Sequence, residues 1–297
     1  MFTAKDVKEL RERTGCGMMD CKKALTECNG DMEKAIEFLR EKGLAAATKK
    51  AGRIAAEGIV TTYVSDDATV ASIIEVNSET DFVAKNADFQ SFVAQLAKIV
   101  AEENPADIEN FMTMKYDDSM TVEAALQDKI LTIGENMKIR RFARYEGKVA
   151  SYVHGGGKIG VLTLIEGEDT NAAKEVAMHI AAINPLYMSK DCVPEADVEK
   201  EKNIIIAQIK EDPKNASKPD AIIEKMVVGR LAKFKKEICL VDQPFVKDPS
   251  VTVEQFLKLH NSSAVAYVRY EVGEGMEKRN DDFAAEVAAQ AAAAQNK

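Results

Sequence analysis

Residues 78–86, SETDFVAKN, place a phenylalanine between an aspartate and a lysine where a strand-like run stops and a helix-like run begins. If a turn starts at Asp81, its carboxylate and the Phe82 ring are presented together at one tip. For the ring two readings stand. It packs back on its own helix, as most aromatic side chains do, or it anchors in a partner's pocket, the kind of residue that dominates interface energies.

Other chemistry-bearing groups lead less far. GGGK at 155–158 has the glycines of a phosphate loop, but a Walker A loop needs G-x-x-x-x-G-K-[ST] between a strand and a helix, and Lys158 is followed by Ile159. The segment is a strand-to-strand turn. Cysteines 16, 21, 28, 192 and 239 are odd in number and contain no C-x-x-C, which argues for reduced, structural thiols rather than disulfides or a zinc site. His154, His179 and His260 are scattered, so neither a metal cluster nor a nucleophile triad is expected. No cofactor fingerprint emerges.

The 297 residues are 46% hydrophobic and 30% charged, enough for a core and too long for one compact unit. A formal net charge of −9 disfavours direct contact with nucleic acid or an anionic membrane and favours a protein partner. MFTAKDVKELRER has no apolar core of a signal peptide, and no apolar run approaches the roughly 18 residues of a membrane helix. A cytoplasmic location follows as the expectation.

The elements that must position SETDFVAKN can be read from periodicity. Three short helices are expected in TAKDVKELRERTG, MMDCKKALTECNG and DMEKAIEFLREKG, closed by Gly15, Gly30 and Gly43 as left-handed caps. Val7 and Leu10, then Ala24, Leu25 and Cys28, then Ile36 and Leu39 supply their apolar faces. Of the adjacent Met18 and Met19, one is expected to face out, since two consecutive residues cannot share one helix stripe. AAATKKAGRIAAEG follows as a connector, expected to be helical.

The chain then repeats itself. GIVTTYV (58–64) is similar to GKVASYV (147–153) and VASIIEV (70–76) to IGVLTLI (159–165), both at an offset of 89. Each pair reads as a β-hairpin followed by a helix, with Phe89, Phe92, Val93 and Leu96 facing inward in the first copy and Val176, Ile180 and Ile183 in the second. Both helices run into Asn-Pro, at 104–105 and 184–185; Thr-Val-Glu recurs at 121–123 and 252–254, and Arg-Tyr-Glu at 144–146 and 269–271. The expected fold class is α+β, with a core of two related subdomains built on antiparallel sheets. The expected divisions are 1–54 for the helical module and connector, and 55–140 and 141–275 for the two core subdomains.

The copies differ in two places. The second is longer by about 50 residues between Asn-Pro and Thr-Val-Glu, the length of an inserted supersecondary unit. An antiparallel helical hairpin at about 190–236 is expected, with Val198, Ile205 and Ile209 facing Ile222, Met226 and Phe234. These faces either close on each other or pair with a second chain as a homodimer. The first copy has about five extra residues between its second strand and its helix. They fall within SETDFVAKN, and function gathers on such loops.

VKELRERTGCGMMDCKKAL, TDFVAKN, HGGGKIGVL and RYEVGEGMEK with DFAAEV together resemble the bacterial elongation factor Ts family, essentially from end to end. The resemblance implies a ubiquitin-associated-like fold for the first three helices and, at 276–297, a C-terminal module carrying a helix. It implies a guanine-nucleotide exchange factor, not an enzyme of covalent chemistry, whose partner is GDP-bound elongation factor Tu and which stays bound until GTP enters. By the resemblance, Thr80, Asp81, Phe82 and Val83 displace Mg²⁺ from the partner's nucleotide site. Phe82 wedges between the partner's helices; Asp81 disturbs the network around the metal, direct capture of Mg²⁺ being the second option. Arg13, Met18 and Met19 resemble the family's contact to the partner's nucleotide-binding domain, and His154 a contact to another of its domains, although GGGK makes this turn more glycine-rich than the family's usual form. The competing expectations are a scaffold protein that dimerises through the hairpin, and an enzyme, for which no catalytic constellation speaks.

Overall fold

A computed structural model of the chain describes residues 2–212 and 218–277. The expected C-terminal module, 276–297, lies outside the described residues apart from its first two positions. Three helices open the chain: α1 (Ala4–Thr14), α2 (Met18–Glu27) and α3 (Met32–Lys50). Thr3 and Asp6 form a capping box on α1, and Gly15 ends it at φ 67°. Val7, Leu10, Cys16, Cys21, Ala24, Leu25, Ala35 and Leu39 form their shared core.

Two three-stranded antiparallel sheets follow. The first, in the order β1 (Glu57–Val64), β2 (Val70–Ser78), β3 (Met137–Glu146), carries α4 (Asp81–Ala84), α5 (Ala87–Glu103), α6 (Ile108–Thr113) and α7 (Val122–Ile133) between its second and third strands. The second, β4 (Lys148–His154), β5 (Ile159–Glu166), β6 (Ser263–Glu271), carries α8 (Thr170–Ile183), α9 (Glu195–Glu211), α10 (Asp220–Ile238) and α11 (Val253–Leu259). The repeat is visible in detail. Asn104 and Asn184 both end their helices in the left-handed conformation, and Thr121 and Thr252 both cap theirs. Strand register shifts at Glu75/Val76 and again at Leu164/Ile165, the same offset of 89 later.

The two hairpins face each other about a local two-fold axis. Val60 N–H donates to the Gly157 carbonyl at 2.7 Å, and its counterpart Val149 N–H donates to the Ala68 carbonyl at 3.2 Å. Val60, Ile73, Val149 and Leu162 are buried between them. A second tie crosses from the end of β6: the Gly273 N–H donates to the carboxylate of Glu75 at 2.9 Å, deep in the first sheet.

Several expectations are corrected. Gly43 lies inside α3 and not at its end. The following Leu-Ala-Ala-Ala-Thr-Lys-Lys continues the helix by propensity, and α7 packs alongside at ordinary contact distances, a Cβ at 43 meeting Leu131 Cδ2 at 3.5 Å and the Gln127 carbonyl at 3.6 Å. The expected boundary at 140/141 cuts β3, which pairs with β2 through Glu146. Ile183 is exposed at the last turn of α8, beyond the sheet that covers Val176 and Ile180. In the inserted helices, Ile205 and Ile209 meet Val227, with Ile223, Met226 and Leu231 beside them, whereas Ile222 faces out. The face of α10 is rotated by one position because Ile222 and Ile223 are equally apolar and only packing chooses between them. The expected breaker residues Pro213 and Asn215 lie outside the described residues.

Candidate partner-docking site

Eight residues, 79–86, separate β2 from α5, against three, 167–169, separating β5 from α8. The extension folds into the single helical turn α4. Val83 is buried against the first sheet and α5, so it fixes the turn from below and does not reach outward. Asn86 caps α5 by accepting from the N–H groups of Asp88 and Phe89 at 2.8 and 3.1 Å. With both ends held, Phe82 projects, 78% exposed. The reading in which its ring packs back on its own helix is overturned: the inward slot is taken by Val83.

Asp81 is half-exposed and accepts from Lys85 Nζ at 2.7 Å across one helical turn. This bond holds its carboxyl below the ordinary range, with the Lys85 and Lys158 charges adding to it. Lys85 Nζ also stands 5.8 Å from the centre of the Phe82 ring. One cation thus attends both the carboxylate and the ring.

Thr80 is tied to the far side of the subdomain. Its hydroxyl and its N–H donate to the two carboxylate oxygens of Glu135, at 2.7 and 3.0 Å. In the reverse direction, Glu79 accepts from the Asn136 N–H at 2.6 Å and from Arg53 at 3.4 Å, and the Asn136 amide donates to the Arg53 carbonyl at 2.8 Å. The start of the extension is clasped to the α7–β3 junction.

The second hairpin turn comes to the same place. A cleft of about 400 Å³ is lined by Asp81, Ala84, Lys85 and Gln90 from the extension and α5, and by Gly155, Gly156 and Lys158 from the turn. His154, just before those glycines, is exposed and within 3.2 Å of the Tyr152 hydroxyl through Nδ1. The glycines after His154 thus lie beside Asp81, while His154 itself does not line the cleft.

Met18 and Met19 lie on α2, both exposed at 58% and 75%, so the expectation that only one would face out is corrected. The start of α2 protrudes and neither side chain meets the helical core. Together with Phe2, Val7, Lys8, Arg11 and Lys22 they line an apolar groove of about 850 Å³ with a basic rim. Methionine suits such an adaptable surface. Arg13 is not part of this groove; its guanidinium pairs with Glu33 at 2.7 Å.

Cys16, Cys21 and Cys239 are buried, and burial raises their thiol pKa; Cys28 is half-buried and Cys192 is exposed. Among the described residues no group of three or more His, Cys, Asp or Glu is arranged to hold a metal ion, and no helix is long and apolar enough to cross a membrane.

Residues 79–274 match the family model "Elongation factor TS", from the first residue of the clasp to the turn pinned on Glu75. The elongation factor Ts of Clostridium kluyveri is 52% identical over 303 residues, covering 97% of this chain and 98% of that protein. That of Clostridium perfringens is 51% identical over 302 residues with the same coverage. The chain belongs to the elongation factor Ts family. For a family member, the missed positions are informative. Lys85 lies within SETDFVAKN, four positions after Asp81, a spacing that announces an ion pair on a helix. Glu135 is 55 positions from Thr80, and no local signal connects them.

Proposed function

We propose that this elongation factor acts as a guanine-nucleotide exchange factor: it binds elongation factor Tu in its GDP form, promotes GDP release by disturbing the Mg²⁺ and phosphate site, and remains bound until GTP enters. The observation that carries the reading is Phe82, standing out from a turn whose two ends are anchored, with the Asp81 carboxylate beside it. A largely exposed aromatic ring on a braced turn is costly to keep in water and suited to a partner's pocket. Mg²⁺ bridges nucleotide phosphates to the partner and neutralises charge between them, so moving its ligands or waters weakens nucleotide binding. Phe82 would wedge the partner open while Asp81 perturbs the network around the metal. Val83 contributes by fixing the turn.

The remaining surfaces would hold the partner. The methionine groove on α2, with Arg13 nearby on α1, would take its nucleotide-binding domain, and the His154 turn another domain. In this division the three N-terminal helices form a ubiquitin-associated-like module and each sheet with its helices one core subdomain. The factor and the nucleotide weaken each other's binding by the same ratio. Each tenfold weakening takes about 1.4 kcal/mol, so a millionfold effect takes about 8 kcal/mol and needs a wide interface. No covalent step is involved.

The test is to compare Asp81→Ala and Phe82→Ala with the parent chain for complex formation and for GDP release. Exchange should slow far more than binding weakens; equal loss of both would defeat the division between loop and grip.

A scaffold reading has one observation in its favour. Ile204, Ile222 and Val228 on α9 and α10 remain exposed and could pair with a second copy. It predicts self-association and partner binding without faster GDP release.

A further inference from the structure

Thr80 occupies the N-cap position of α4, where a threonine hydroxyl ordinarily accepts from the helix's own N–H groups. It makes no such bond here. Hydroxyl and N–H both turn to the half-buried Glu135, at 2.7 and 3.0 Å. The residue before Asp81 is therefore held by two bonds to a single carboxylate on a different element, while the neighbouring Glu79 accepts from Asn136 at 2.6 Å.

We infer that Glu135 is a positioning residue for nucleotide exchange: through Thr80 it sets the direction in which Asp81 and Phe82 project. The inference rests on the exchange reading given above. Without the carboxylate the Thr80 hydroxyl is free to swing back and cap α4, and the first turn then shifts between the anchors that remain: the Ser78 hydroxyl on the Thr80 carbonyl at 3.0 Å, the Glu79 contacts, Val83 below and Asn86 beyond. Phe82 would still be exposed, but its aim would be one of several. Part of the docking energy would go into ordering the turn rather than into distorting the partner.

The chain contains no tryptophan, so Phe82→Trp supplies a single fluorophore at the tip. Two measurements are made: Trp anisotropy of the free protein, and release of fluorescent GDP from elongation factor Tu at increasing factor concentration. Glu135→Ala should lower the anisotropy in the Phe82→Trp chain. In the parent chain it should lower the saturating release rate about tenfold while the half-saturating concentration moves less than about twofold. Glu135→Gln keeps an acceptor for the Thr80 N–H and a donor for its hydroxyl, and should recover the rate to within about threefold. Thr80→Val should slow release alone but add nothing in the Glu135→Ala background, the signature of one shared interaction.

Unchanged anisotropy and saturating rate, or a loss confined to the half-saturating concentration, would overturn the inference. Should Glu135→Ala not fold, Glu135→Gln and Thr80→Val carry the same comparison. If the parent chain itself fails to accelerate release, the exchange reading falls, and the anisotropy still decides whether Glu135 aims the tip.

Discussion

The Thr62 hydroxyl donates a 3.0 Å hydrogen bond to the hydroxyl of Ser151, its own counterpart 89 positions later. Two equivalent side chains meet in this way where a local symmetry axis runs between them. The reciprocal bonds from Val60 to Gly157 and from Val149 to Ala68 obey the same axis. Through it the turn of one hairpin lies against the start of the other, which is how Asp81 and the glycines before Lys158 come to line one cleft.

The closeness of the hairpins gives the first prediction. A Cβ on Gly160 would lie 2.4 Å from Val60 Cγ1 and 3.1 Å from Ile73 Cδ1, both side chains being fully buried. Gly160→Ala should destabilise the fold by about 1–3 kcal/mol through overpacking, read from the urea midpoint at unchanged slope.

Neighbours on α4 should separate stability from activity. Phe82→Ala removes an exposed ring and should leave stability within about 0.5 kcal/mol of the parent. Val83→Ala empties a buried site and should cost about 1–3 kcal/mol. Thermal unfolding of the two variants distinguishes them, and a large loss for Phe82→Ala would mean that the ring packs after all.

Glu75 is fully buried and accepts from Arg140 at 2.9 Å, from Arg141 at 2.6 Å and from the Gly273 N–H. Burial would push its carboxyl up, but the hydrogen bonds from Gly273, Asn77 and the two arginines carry it below the ordinary value. Glu75→Ala should cost about 3 kcal/mol, because it takes the buried carboxylate from Arg140 and Arg141 and leaves them only Glu274 and the Glu271 carbonyl. It should also free the 272–276 turn, seen as faster hydrogen exchange at the Gly273 amide.

Much of this was legible in the chain. The offset repeat marks the four hairpin strands, the recurring Arg-Tyr-Glu marks the last strand of each sheet, and the five extra residues mark the loop, because alternation and turn residues are local signals. Gly43 misled because glycine reads as a left-handed cap, whereas the good helix formers after it carry α3 on to Lys50. The exposure of Phe82 depends on Val83 having filled the inward slot. The clasp on Thr80 depends on an α7–β3 junction brought near by the fold. Periodicity identifies which residues are apolar, but not which of two adjacent ones, such as Ile222 and Ile223, is chosen.

His179 supplies a dependence on pH. Its Nδ1 accepts from the Val246 N–H at 3.1 Å, so Nε2 carries the proton and donates to Gln243 Oε1 at 2.8 Å. Burial lowers its pKa, opposed in part by the Gln243 bond. The folded protein then takes up a proton less readily than the unfolded chain. The contribution is fully present above the unfolded value of about 6.5 and is lost as pH falls from there through the lowered folded value. The urea midpoint should therefore drop between pH 7.5 and 5.5, and the part of that drop due to His179 should vanish in His179→Gln.

The most direct measurement loads elongation factor Tu with a fluorescent GDP, adds excess unlabelled GDP, and follows release with substoichiometric amounts of this protein. Strong acceleration, with each molecule serving many partners, is the expected result. A detectable complex with no faster release would contradict the exchange function, and Phe82 would then be an anchor for binding alone.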